Sequence, residues 1–78
     1  MSKIEEELRK EIAKWLPKAE KELKNIKKVN DEEFLVNIKA YIKDTTYFLE
    51  KGDLVKSFEA VVWAWSWIEI GKLKGILE

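Results

Sequence analysis

Apolar residues recur along this chain at spacings of three and four, and no run alternates with period two between turn signals. That pattern predicts helices and no strand pair. Ile4, Leu8, Ile12, Trp15, Leu16, Ala19, Leu23 and Ile26 form a first stripe, predicting a helix over 3–27. Ser2 and Glu5 make the S-x-x-E pattern of a capping box at its start. Pro17 lies inside the stripe, where it removes a hydrogen bond to the Ala13 carbonyl and should kink the helix. The apolar phase continues past it, so one bent helix is expected rather than two short ones.

A second stripe, Phe34, Leu35, Ile38, Tyr41, Ile42, Thr45, Phe48 and Leu49, predicts a helix over 31–51. Asn30 is the expected N-cap, with Glu33 reaching back, and Asp31, Glu32 and Glu33 suit the positive end of the helix dipole. The Thr45 hydroxyl has the Tyr41 carbonyl one turn behind it, which accounts for a polar residue mid-stripe. Gly52 then supplies a left-handed C-terminal residue, and Asp53 an N-cap for the next helix. So short a junction makes an antiparallel hairpin. The third helix is expected over 54–74, weakened by Gly71 and Gly75. Its large face is Leu54, Val55, Phe58, Val61, Val62, Trp65 and Ile68; its small strip is Ser57, Ala60, Ala64 and Gly71. Small residues at helical spacing let another backbone approach, so this helix should touch both others. Burying all three stripes requires an all-α, three-helix up-and-down bundle, one domain over 1–78.

Composition narrows the chemistry. The chain has 78 residues, no cysteine and no histidine, so disulfides, Cys/His zinc sites, Ser-His-Asp triads and Cys nucleophiles are all excluded. The glycines never cluster into a phosphate loop, and no Glu-x-x-His pair is present. No catalytic, cofactor-binding or metal residues are therefore assigned, and no enzyme is expected. Net charge is zero, with 15 basic and 15 acidic side chains, so no global field draws the protein to nucleic acid or an anionic membrane. The N-terminus lacks the apolar run of a signal peptide, and no stretch is apolar enough for a membrane span. Heavy use of Lys, Glu and Ile without Gln points to a thermophile's cytoplasmic protein.

From Tyr41 onward the chain resembles a known family. The residues that carry the likeness are Tyr47-Phe48-Leu49-Glu50-Lys51-Gly52-Asp53, then Trp63-Ala64, Trp67-Ile68-Glu69 and Gly71. They are similar to a family of short archaeal proteins classed only as a domain of unknown function. Its pattern is an aromatic-Leu-Glu-Lys-Gly-Asp hairpin followed by Tyr-Ala-x-Gly-Trp-Leu-Asp. Here Trp63, Ser66, Ile68 and Glu69 stand where that pattern has Tyr, Gly, Leu and Asp. The resemblance implies a three-helix bundle and no established activity. The hairpin also looks like a tetratricopeptide unit and like helical ribonucleases of toxin systems. An array needs about three repeats and only one hairpin fits here. Those nucleases resemble an Arg-x4–6-His site, and this chain has a single arginine, Arg9, and no histidine.

Three features remain as candidates. Trp63, Trp65 and Trp67 sit at strand spacing inside a helix, so at about 100° per residue they point three ways. Trp65 is expected in the core and Trp67 at its edge, while Trp63 aligns with Ile70 away from it. Val36, Ala40 and Tyr47 also fall off the main stripe of the second helix. An exposed aromatic patch marks a binding surface, so Trp63, Trp67, Ile70, Tyr47, Val36 and Ala40 are the expected interface of a homodimer. The alternative is that the first helix covers Trp63. Lys3, Lys10, Lys14, Lys21 and Lys28 line one face of the first helix, where residues 1–30 hold nine basic and six acidic side chains. Phosphate contact is one use for such a row, but zero net charge and the lack of flanking aromatics disfavour nucleic acid. Glu69 is expected on the core-facing side of the third helix, paired with Lys72 or with a cation of the first helix.

Overall fold

The computed structural model describes residues 2–78, which form three helices: α1 (Lys3–Lys24), α2 (Glu32–Glu50) and α3 (Leu54–Leu73). They stand side by side in a rod of 42 × 17 × 17 Å. Helix α3 packs against both neighbours, whereas α1 and α2 touch sparsely. The all-α, three-helix up-and-down bundle is thus the observed architecture.

Each helix starts where a side chain caps it. Ser2 Oγ accepts the Glu5 amide at 3.2 Å and donates to the Glu5 carboxylate at 3.1 Å, closing the capping box through side chains. Asp53 accepts the Lys56 amide at 3.1 Å, and Gly52 takes φ +79, as the hairpin requires. Asp31, not Asn30, caps α2, accepting the Phe34 amide at 3.3 Å. Asn30 is committed elsewhere. Its side-chain amide donates to the Gly75 carbonyl at 2.7 Å and the Glu78 carboxylate at 3.0 Å, and its backbone amide to Ile76. Helix α1 ends at Lys24, three residues before the expected point, for a related reason. The amides of Lys27 and Lys28 both donate to the Glu78 backbone oxygen, so this segment pairs with the C-terminal strap instead of coiling. An isolated antiparallel bridge, Val29–Leu77, completes that contact. Helix α1 runs through Pro17 without interruption.

The core combines Ile12, Ala19, Phe34, Ile38, Leu54, Ala60, Val61, Ala64, Ile68 and Leu77. Two polar residues are fully buried with them, and both are satisfied. Thr45 Oγ1 donates to the Tyr41 carbonyl at 2.9 Å, and Ser57 Oγ donates to the Thr45 carbonyl at 2.7 Å, tying α2 to α3. Gly71 is buried where Phe34 and Leu77 converge, and a Cβ there would lie 2.7 Å from each. The small strip Ser57, Ala60, Ala64 and Gly71 is therefore the centre of the packing rather than its margin. Val55 and Val62, expected in the core, face solvent with Leu73. Close approach along the small strip rotates α3 so that these larger residues turn outward. Ile4 is also exposed, at 74%, in the first turn of α1 beside the hairpin residues Gly52 to Val55.

Candidate functional site

The three tryptophans of α3 point three ways, and each has a distinct environment. Trp65 turns to α1, where its Nε1 donates to the Trp15 carbonyl at 3.0 Å and the two rings meet edge to face at 5.8 Å. Trp67 turns to α2, edge to face with Phe34 at 4.8 Å and stacked on Tyr41 at 6.5 Å. Trp63 remains 55% exposed and stacks on Tyr41 at 6.4 Å with the planes 21° apart. Helix α1 does not cover it. Ile70, two turns on, is exposed beside it, and Val55, Val62 and Leu73 extend the apolar surface along the outward side of α3. A soluble helix normally turns a polar stripe outward; here Glu59, Ser66 and Glu69 only interrupt the apolar one.

Val36, Ala40 and Tyr47 are exposed as well, but on another surface. At about 100° per residue they lie opposite the buried Ile38, with Asn37 and Asp44 between them and Tyr41. Trp63 therefore meets Tyr41 and not Tyr47, whose ring contacts Phe48 at 5.2 Å. Tyr47 instead borders an open cleft of about 620 Å³ between α1 and α2, floored by Leu23 and Ile42. The cleft's rim mixes Lys24, Lys39 and Lys43 with Glu20 and Glu50, a set of no single sign.

The lysine row does not present a uniform field. Lys10 pairs with Glu7 at 3.9 Å, Lys28 with Glu78 at 4.0 Å, and Lys14 Nζ lies 5.0 Å from the Trp15 ring. Nor does Glu69 take its expected place. It is exposed, and Lys72 pairs with Glu22 of α1 instead. Lys72 lies on the α1-facing side of α3, where Glu22 is in reach, while Glu69 sits farther round toward solvent. Among the described residues no group of three acidic side chains is arranged to hold a metal ion. No helix is long and apolar enough to cross a membrane.

A family model described as protein of unknown function (DUF357) matches residues 4–77. The chain belongs to that family. The DUF357 match spans α1 as well as the hairpin, so the first helix, which lies outside the likeness read from Tyr41 onward, is part of the same unit. The chain is also similar to the crystal structure of protein AF1782 from Archaeoglobus fulgidus, assigned to DUF357. The two share 57% identity over 96% of each chain, with a TM-score of 0.90. The relative is archaeal, and the family has no assigned function. No curated protein matches the chain.

Proposed function

We propose that this protein is a non-enzymatic helical interaction module that self-associates through the outward face of α3, with Trp63 at its centre and Tyr41 of α2 at its edge. Exposed Trp63, stacked on Tyr41 and continued by Ile70, Val62, Val55 and Leu73, is the observation that supports it. From Val55 to Leu73 the ridge is about 27 Å long at about 1.5 Å per residue. A straight apolar ridge suits a second helix like itself, since helices pack ridge into groove. Zero net charge removes the repulsion that holds strongly charged chains apart.

The test is absolute mass by light scattering behind a sizing column, over a hundredfold range of concentration. The wild type should approach twice 9.2 kDa as concentration rises. Trp63→Lys should shift that transition to much higher concentration with helicity unchanged. Tyr47→Lys, on the separate α2 surface, should leave it in place. A wild type that stays at 9.2 kDa throughout, or a Trp63→Lys variant with undiminished association, refutes the reading. The alternative, an accessory nucleic-acid-binding role for the α1 lysines, has weaker support because Lys10 and Lys28 are paired within the chain. Binding to a DNA duplex that weakens steeply with salt would favour it.

A further inference from the structure

Beside the Trp63 ridge, on the α1-facing edge of the outward side of α3, Trp15 of α1 and Phe58, Val61, Val62 and Trp65 of α3 line an open cavity of about 230 Å³, with Glu69 and Ser66 at its rim. We propose that this cavity is an aromatic cage for a quaternary ammonium head group.

Four observations converge on that ligand. The walls are fixed before anything binds. Trp15 Nε1 donates to Glu11 at 2.8 Å and Trp65 Nε1 donates to the Trp15 carbonyl at 3.0 Å, so the indoles stand at 80° to each other, as adjacent sides of a box. The π faces suit a cation. Lys14 and Lys18 already lie 5.0 Å from the Trp15 ring, whereas among the described residues no ammonium group is placed against Trp65 or Phe58. The rim carries an exposed carboxylate, Glu69, that is free of any ion pair with its neighbours among the described residues. Lys72, the cation one turn away, pairs with Glu22. Finally, the hydrogen-bonding capacity is small. Both indole N–H groups are used, and Ser66 Oγ donates to the Val62 carbonyl at 2.9 Å. A primary ammonium would find one charged protein acceptor there, the Glu69 carboxylate, for its three N–H groups, whereas a quaternary ammonium has no N–H to pair. The volume lies below the roughly 300 Å³ at which drug-sized pockets begin, which suits one head group.

The experiment reads the four indole Nε1–H resonances of the ¹⁵N-labelled protein. Tetramethylammonium chloride or choline chloride replaces sodium chloride at constant ionic strength. The Trp15 and Trp65 signals should shift with half-saturation between about 1 and about 10 mM, while Trp63 and Trp67 stay in place. The neutral isostere 3,3-dimethyl-1-butanol should shift them at least about fivefold less at equal concentration. Glu69→Gln, an exposed substitution that leaves folding intact, should weaken choline binding by about threefold to tenfold. Phe58→Leu should weaken it while leaving the Trp15–Trp65 contact in place. An N-acetyl trimethyllysine amide, compared with choline, distinguishes a protein side chain from a small metabolite as the source of the head group. The proposal is overturned if the Trp15 and Trp65 signals do not move, if Trp63 moves instead, if the neutral isostere works equally well, or if Glu69→Gln has no effect.

Discussion

Replacing Gly71 with alanine sets two effects of opposite sign against each other. Gly71 is a helical residue with ordinary dihedral angles. On propensity alone, alanine should stabilise α3 by about 1 kcal/mol. The added Cβ, however, would lie 2.7 Å from Phe34 Cε1 and Leu77 Cδ1 and 2.8 Å from Leu77 Cγ. Neither neighbour is free to retreat. Phe34 is buried and held edge to face by Trp67, and Leu77 is 1% exposed and pinned by its bridge to Val29. Overpacking of this kind costs about 2–3 kcal/mol. The steric effect wins, leaving a net loss of about 1–2 kcal/mol. For a domain of this size that lowers Tm by about 4–15 °C. Urea denaturation followed by circular dichroism gives the free energy directly. Gly71→Ala combined with Leu77→Ala should cost less than the two single changes summed, because removing the isobutyl group relieves the clash. A Gly71→Ala variant as stable as wild type, or more so, refutes the close approach of Phe34 and Leu77 over α3.

Other substitutions test separate links of the fold. Ser57→Ala removes the 2.7 Å bond to the Thr45 carbonyl and should cost about 1 kcal/mol in chemical denaturation, with no change in helicity. Asp53→Ala uncaps α3 and should cost about 1 kcal/mol, and Asp53→Asn markedly less, by the same assay. Leu77→Ala should cost about 2–4 kcal/mol, and hydrogen exchange should then show the Lys27 and Lys28 amides losing protection before those of α3.

The fold class, the hairpin and most caps followed from local chemistry, which the chain carries with it. Gly52, Asp53 and the pairing of Ser2 with Glu5 act within a few residues, so their roles do not depend on what the rest of the molecule does. The same holds for Thr45, whose partner is one turn away. Where the local reading failed, a distant segment had intervened. Asn30 gave up its capping role to bind Gly75 and Glu78, and α1 stopped short because Lys27 and Lys28 pair with the same strap. Nothing near residue 30 foretells a partner more than forty positions away.

Helix α3 shows the division most clearly. Its sequence is apolar almost all round, so periodicity alone cannot choose which side faces in. The choice falls to the small strip, because two backbones can approach closely only where Ser57, Ala60, Ala64 and Gly71 leave room. That rotation turns Val55, Val62 and Leu73 to solvent and separates Trp63 from the cavity of Trp65. The exposure of Trp63 and Ile70 was legible from their phase along the helix. The cavity was not, since its walls come from residues fifty positions apart that only packing brings together. Sequence alone determined that this protein is a helical bundle without Cys or His chemistry. Tertiary structure decided which aromatic faces remain open, because that depends on how closely the helices approach.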